Sequence, residues 1–493
     1  LSPNQVIPVE SLALNPIAES VLKIPSLTYD VSKDGIVIAR KADLVVRAPA
    51  LNASPSLRRA LNRVATRVGT LADIKALPPE PARVPEFASS PDQPIAGDHE
   101  PKEDGALSQV EIWRLNDAAR NSIDESRQLR TLAEDQPVRT PRGDELLLPA
   151  VSPNHVAILS PTSGGCPATP PTPATERDPA FVQPPAGESP VKVTILDSGY
   201  IWIAPRHRDE SHRNLDQRVR VVLGQWLNTA TGTWEPDEPD GLYLDWAGQL
   251  DGISGHGTFI AGLISHIAPC TRLEVVGLRN QEVEIDGLDP SQQLGLFETE
   301  VAIAHAMLRH CDTDVIQCGF AFPTLDDYPS VPFAAAMAEI RQESAPRKGH
   351  VAVVAPAGNE QSSRRYWPAA LPDVIGVAST NRRENARAWF SNWGSWCDCC
   401  TRGERVYSTF VRWEGSTEGR PLWDVEDFDG WATWNGTSFA APKVSAAIAR
   451  LVASTGNPSP EAAGQELIAG TVSTVTDASL SGAPGVSLPH LQI

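Results

Sequence analysis

The chain has no apolar run long enough to cross a bilayer as a helix. It is also short of positive charge. Its 42 Lys and Arg stand against 61 Asp and Glu, a formal net charge of -19, and a surface of that sign repels a phosphate backbone. Neither a membrane span nor nucleic acid as a main partner is expected. Cysteine is sparse and odd in number, with seven in 493 residues. Cys397, Cys399 and Cys400 cluster, while Cys166, Cys270, Cys311 and Cys318 are scattered. No histidine sits at metal-finger spacing beside the cluster, so a zinc site is not expected. Reduced, partly buried thiols are the plain reading, and a Cys270–Cys311 disulfide stays open. No leader is visible and the chain opens on Leu1 rather than Met, so neither a secreted nor a cytoplasmic setting is selected.

What is present fits a folded globular protein, with 41% hydrophobic and 21% charged residues. A length of 493 residues is too great for one small core, so two or more domains are expected. Residues 1–35 alternate short apolar stretches with Pro, Ser and Asn and read as a loosely packed arm. From 36 to 159 the pattern sharpens. Ile36–Ala39 and Leu44–Val46 read as two strands, and Leu57–Val68 as a helix with Leu57, Leu61, Val64 and Val68 on one face. Val110–Trp113 alternates as a strand, Ser122–Glu134 is helical, and Val156–Leu159 closes with a strand. Strand-helix-strand occurs twice, which predicts a small α+β ferredoxin-like sandwich, interrupted by a mobile Pro- and acid-rich insertion at 78–105.

Residues 160–190, rich in Pro, Thr, Gly and Ser, read as a linker. From 191 to 493 short apolar strands alternate with helices. Val191–Leu196, Leu273–Leu278, Val315–Phe320, Val351–Ala355 and Val374–Val377 are the strands; Phe297–Arg309 and Phe333–Glu343 are helices. That alternation predicts a mainly parallel sheet covered on both faces, an α/β domain.

Four separated segments of this second domain carry chemistry. Asp197 ends an apolar strand and precedes Ser198-Gly199, at the carboxyl edge where α/β sheets place their sites. His256 stands between Gly255 and Gly257 ahead of an apolar helix, Thr258–Ile267. Ser438 starts the helical run Phe439–Val452 after Gly436-Thr437, where the helix dipole and free N–H groups favour a developing oxyanion. Asn359 follows the strand that runs into Ala357-Gly358. A turn-starting Asp, a capping Ser and a Gly-Asn turn are each common for structural reasons alone. The four together, with the acid, base and nucleophile in the order Asp, His, Ser, point to an activated serine.

These segments closely resemble the subtilisin-like serine peptidases over most of 191–456. The resemblance implies a three-layer fold with a mainly parallel sheet and hydrolysis of protein or peptide substrates. It implies that Asp197 orients the imidazole, that His256 is general base and then acid, that Ser438 forms the acyl-enzyme and that Asn359 is an oxyanion donor. Tyr366-Trp367-Pro368-Ala369 resembles the segment carrying the family's cis-proline. The resemblance places Gly319, Phe320 and Ala321 on the substrate-pairing edge, with Gly319 replacing a usual serine, and Ala355, Pro356, Ala357, Gly358 and Tyr366 around the primary pocket. A short loop between Asn359 and Pro368, as in the proteinase K branch, implies a preference for small to medium apolar residues before the cut. Arg402 stands where the family has a proline, and the nearby cysteines read as packing residues. The resemblance makes 36–159 prodomain-like, with Val151–Val156 as a closing strand that leads to the cleft; an independent recognition domain is the rival reading. No cofactor is required. Calcium is common in the family, but the acidic insertions 206–245 and 413–431 show no fixed ligand spacing such as an EF-hand loop and read as solvated loops. A dedicated processing peptidase and a catalytically silent binding module are the alternatives.

Overall fold

A computed structural model of the chain describes residues 26–32, 35–73, 105–139, 145–158, 167–174, 190–202, 210–237, 250, 253–278, 296–344, 350–415, 427–456, 459–477 and 486–493. Most of the expected arm and of the 78–105 insertion therefore lie outside the described residues, as do Cys166 and the acidic Glu238, Asp240, Glu418, Asp424 and Glu426.

The N-terminal part contains β1 (Leu27–Ser32), β2 (Gly35–Arg47), α1 (Pro55–Val64), β3 (Ala65–Thr70), β4 (Val110–Leu115), α2 (Ser122–Arg130) and β5 (Val151–Ile158). Its strands run in the order β5-β2-β4-β3, each pair antiparallel, with β1 along the first half of β2. β2 is one strand where the sequence suggests two. The charged break at Arg40–Asp43 finds partners instead of forming a loop. The Arg40 guanidinium lies 5.8 Å from the Trp226 ring centre, and Asp43 accepts a 2.7 Å hydrogen bond from Thr229. α1 begins as expected, with Ser54 accepting from the Leu57 N–H at 3.1 Å and Pro55 in the first turn. It stops at Val64, because Ala65–Thr70 joins the ladder with β4. The strand period sorts the apolar residues. Leu44 and Val46 pack with Leu57, Leu61 and Leu129 on the helix side, while Val45 joins Val110 and Ile112 in the core shared with the C-terminal part.

The chain continues through β6 (Thr172–Pro173), β7 (Val191–Asp197), β8 (Val219–Leu223), β9 (Gln225–Asn228) and β10 (Thr233–Pro236), then α3 (His256–Ile267) and β11 (Thr271–Gly277). Next come β12 (Leu296–Thr299), α4 (Glu300–Arg309), β13 (Val315–Cys318), α5 (Val331–Ser344), β14 (Ala352–Pro356) and β15 (Ile375–Thr380). β16 (Cys399–Arg402), β17 (Val406–Trp413), β18 (Phe428–Trp434) and α6 (Thr437–Thr455) follow. Seven strands form one sheet in the order β8-β11-β7-β13-β14-β15-β16, every neighbour parallel. The fold is thus α/β with a parallel sheet. Val193, Ile195, Val315 and Val354 face α3 and α6; Leu196, Ile316, Val353 and Ala355 face α4 and α5. Both faces are covered, as near-continuous apolar strands require.

Two elements depart from the sequence reading. The helix expected from Phe297 begins at Glu300, because Thr299 accepts a bond from the Ala302 N–H at 3.3 Å and caps it. Leu296–Thr299 instead pairs antiparallel with β5, so the N-terminal sheet gains a strand from the C-terminal part. The 160–190 stretch, read as a linker, contributes residues 167–174 to the C-terminal part. There Thr172–Pro173 pairs with β18. The six described cysteines, Cys270 and Cys311 included, are buried, and no disulfide joins any two of them.

The two parts meet along α4 and α5. His155 of β5 donates from Nδ1 to Glu300 at 2.8 Å and accepts at Nε2 from the Leu325 N–H at 2.9 Å. Those two partners fix the tautomer. Arg127 bonds Asp30 at 2.9 Å and Asp326 at 3.1 Å, and Arg130 bonds Asp326 at 2.7 Å. Glu339 of α5 accepts from the Leu107 N–H at 2.9 Å.

Candidate active site

Asp197 is the last residue of β7, at the carboxyl edge of a central strand. Its carboxylate meets His256 Nδ1 through Oδ1 at 2.9 Å and Oδ2 at 3.0 Å. The Ser198 N–H also donates to Oδ1 at 2.7 Å. The carboxylate thus holds the ring with Nδ1 protonated and leaves Nε2 as the acceptor.

His256 opens α3, and its Nε2 lies 3.0 Å from Ser438 Oγ. The neighbouring glycine explains why the helix can start so close to the acid. A Cβ on Gly257 would lie 2.1 Å from the Gly199 carbonyl oxygen and 3.2 Å from Asp197 Oδ1. Gly319, where a serine is usual in the resembled family, has a local cause as well. A Cβ there would lie 1.6 Å from Asp197 Oδ2, so the carboxylate occupies the space that a side chain would need.

Ser438 is the second residue of α6, and Pro442, the sixth, lies inside that helix, where its missing N–H removes the i to i−4 bond to the Ser438 carbonyl. Asn359 Oδ1 accepts from the Thr437 N–H at 2.9 Å and from Thr437 Oγ1 at 3.0 Å. A backbone N–H can only meet the amide's oxygen, so this contact fixes which end of the side chain is which. The NH2 end is turned to the opposite side. Thr437 Oγ1 accepts in turn from the Gly358 N–H at 3.0 Å, tying the nucleophile's neighbour to the loop that carries Asn359. Asp197, His256 and Ser438 are each 0% exposed, so the linked side chains lie out of contact with bulk water.

The structure therefore joins Asp197, His256, Ser438 and Asn359 at one locus. Ala355, Pro356, Ala357 and Gly358 run beside it at the end of β14, and Tyr366, 2% exposed, packs under Gly358. Gly319 abuts the acid. Phe320 is 0% exposed and packs toward Phe333 of α5, so its side chain belongs to the core; Ala321 is buried beside it. The Trp367–Pro368 peptide bond is cis.

Two contributors give little signal in the sequence. Asn392 donates from Nδ2 to the Ala357 carbonyl at 2.9 Å and accepts at Oδ1 from the N–H groups of Glu360 and Ser362 at 2.8 and 3.0 Å. It shapes the whole 357–362 loop from within a segment that has no motif. Trp434 and Phe439 flank the His256 ring at centroid distances of 5.5 and 5.2 Å.

Burial raises the Glu360 carboxyl to about 8, against the pull of Arg364. Burial also pushes the Cys318 and Cys400 thiols well above their ordinary range, which makes them packing groups and poor nucleophiles. Among the described residues no three His, Cys, Asp or Glu side chains converge on a point that would hold a metal ion. Also among the described residues, no helix is long and apolar enough to cross a membrane.

Chemically, the locus offers an acid-oriented imidazole within reach of a hydroxyl at a helix start, with an amide donor fixed beside it. That set serves addition of the hydroxyl to a carbonyl carbon. The profile described as Subtilase family matches residues 188–486. Subtilisin-like protease 2 of Trichophyton equinum is 33% identical over 116 residues, 23% of this chain and 24% of that protein. Thermitase of Thermoactinomyces vulgaris is 38% identical over 109 residues, 22% of this chain and 32% of it. The chain thus spans about a quarter to a third of these curated relatives. A solved protease of Pseudoalteromonas arctica PAMC 21717 superposes with a TM-score of 0.41 at 22% identity, covering 58% of this chain and 84% of that one.

Proposed function

The chain belongs to the subtilase family, and on that premise we propose that it is a serine endopeptidase acting through an acyl-enzyme on Ser438. The observation that carries this reading is the hydrogen-bonded series Asp197–His256–Ser438, with contacts of 2.9 and 3.0 Å. His256 Nε2 takes the Ser438 proton as Oγ attacks the peptide carbonyl carbon. The Asn359 amide and the N–H groups at the start of α6 receive the oxyanion, a contribution of about 10²–10³ for one such donor. Asp197 steadies the imidazolium. The imidazolium then gives its proton to the leaving amine, and water releases the acyl group by the same route in reverse. Every proton-transfer and bond-forming role is met by a side chain, so the reading requires no cofactor; calcium in the acidic insertions remains a structural proposal only.

In the same reading the N-terminal part is a ferredoxin-like inhibitory or folding domain. Its strand order and alternating helices support this, as does the antiparallel pairing of β5 with β12. A retained recognition domain in a dedicated processing peptidase is the second reading, supported by the interlocking His155–Glu300 and Arg127–Asp326 contacts. The buried Tyr366 beneath Gly358 supports a preference for small to medium apolar residues before the cut.

The test is labelling of the chain by a fluorophosphonate probe, with and without Ser438→Ala. Loss of the label in the variant is expected, and persistent labelling sinks the assignment. Comparing the masses of the two purified forms separates the domain readings. Loss of the N-terminal part in the Ser438 form alone marks autoprocessing, and equal masses mark a retained domain.

A further inference from the structure

Trp434 ends β18 and is 0% exposed. Its indole meets the His256 ring at 5.5 Å with the ring planes 82° apart. It also packs on Phe259 at 5.4 Å, Phe410 at 5.5 Å and Phe439 at 5.0 Å. The Nε1–H donates to the Thr169 carbonyl at 2.6 Å. Thr169 is itself gripped: Asn435 Nδ2 donates to its Oγ1 at 3.1 Å, and the Ala168 N–H donates to the Asn435 carbonyl at 2.9 Å. The Arg405 N–H holds Asn435 Oδ1 at 2.8 Å, which sets that amide.

We propose that Trp434 is a positioning residue for His256, and that the strap 167–174 sets the indole. The proposal rests on the serine peptidase reading of the same locus. Asp197 and Ser438 hold the imidazole through its two nitrogens. Those bonds hold the two nitrogens, but the ring can still rock on its Cα–Cβ and Cβ–Cγ bonds. Contacts against its faces and edges resist that motion. Trp434 at 82° and Phe439 at 49° supply them. Aromatic contacts of this kind prefer defined geometries, so the indole restrains angle as well as volume. Rocking would misdirect Nε2 from the serine proton and slow proton transfer, without weakening substrate binding.

The test uses the full chain carrying Trp434→Phe, Trp434→Leu or Trp434→Met. The measurement is the rate constant for fluorophosphonate labelling of Ser438 across pH, normalised to the folded fraction by circular dichroism. Trp434→Phe keeps an aromatic wall and is expected to label within about threefold of the parent. The leucine and methionine variants are expected to slow about tenfold, with the midpoint of the pH profile displaced. Methionine fills irregular space and supplies the second non-aromatic variant should leucine fail to fold. An unchanged rate and midpoint in a folded leucine or methionine variant overturns the proposal. The Ser438→Ala control keeps the two readings apart. Label retained there sinks the peptidase reading, whereas label lost there alongside unchanged Trp434 variants sinks the positioning role alone.

Discussion

Adding one carbon at Gly319 tests how tightly the site is built. A Cβ at this residue would lie 1.6 Å from Asp197 Oδ2, where real Cβ contacts stay beyond 3.0 Å. The backbone has little room to give, because the Gly319 N–H is bonded to the Leu196 carbonyl at 3.0 Å and the same Cβ would already crowd that oxygen at 3.3 Å. The carboxylate must therefore shift by about 1.4 Å, and its two contacts with His256 Nδ1, at 2.9 and 3.0 Å, cannot both keep their length. A misplacement of about 1 Å costs about 10²-fold in turnover, and disabling the triad aspartate costs about 10⁴-fold. Gly319→Ala is expected between these limits. The assay is kcat and KM on a peptide substrate, with fluorophosphonate labelling as a second readout and thermal melting to confirm folding. Because the alanine acts through Asp197, the double variant with Asp197→Asn should be no slower than Asp197→Asn alone. A Gly319→Ala enzyme within about threefold of the parent would refute the reasoning, as would full additivity.

Two further outcomes follow from the same locus. Asn359→Ala should lower kcat by about 10²–10³ with KM nearly unchanged, since the donor acts on a charge that exists only in the transition state; an effect confined to KM would contradict it. Glu360, raised to about 8 from a reference of 4.5, gives up its proton later in the folded chain than in the unfolded one. The folded state therefore holds the extra proton between those values and loses stability as pH rises through the window. Glu360→Gln should match the parent's melting temperature near the lower limit and exceed it near the upper one. A parent that does not fall relative to the variant as pH rises would contradict the assignment.

The candidate site residues were legible because each motif joins a reactive side chain to the glycines that chemistry and packing demand around it. Gly255-His256-Gly257 is the clearest case, since Gly257 is required by the approach of the Gly199 carbonyl. The parallel sheet was legible for a related reason: strands buried on both faces are nearly continuous in apolar residues, as Val191–Leu196 is with only Lys192 and Thr194 interrupting it. What escaped was set by partners distant in sequence. Arg40–Asp43 looks like a break, yet it stays in β2 because Trp226 and Thr229 receive its charged groups. Asn392 sits in a segment without a signature, and its role exists only once the 357–362 loop has folded against it. The strap at 167–174 has linker composition, and its order comes from an open edge on β18.

The two-sided burial of β2 has a consequence for reversibility. Leu44 and Val46 are enclosed by the N-terminal part's own helices, but Val45, Val110 and Ile112 are enclosed by the C-terminal part. Separation would strip one face of the sheet of its cover and leave β5 without the neighbour supplied by β12. The departing piece would then be a two-layer sandwich with an apolar back and a bare strand edge, a poor candidate for independent life. Once cut free, such a piece would favour unfolding over return, so a detachment would run as a ratchet and not as a hinge.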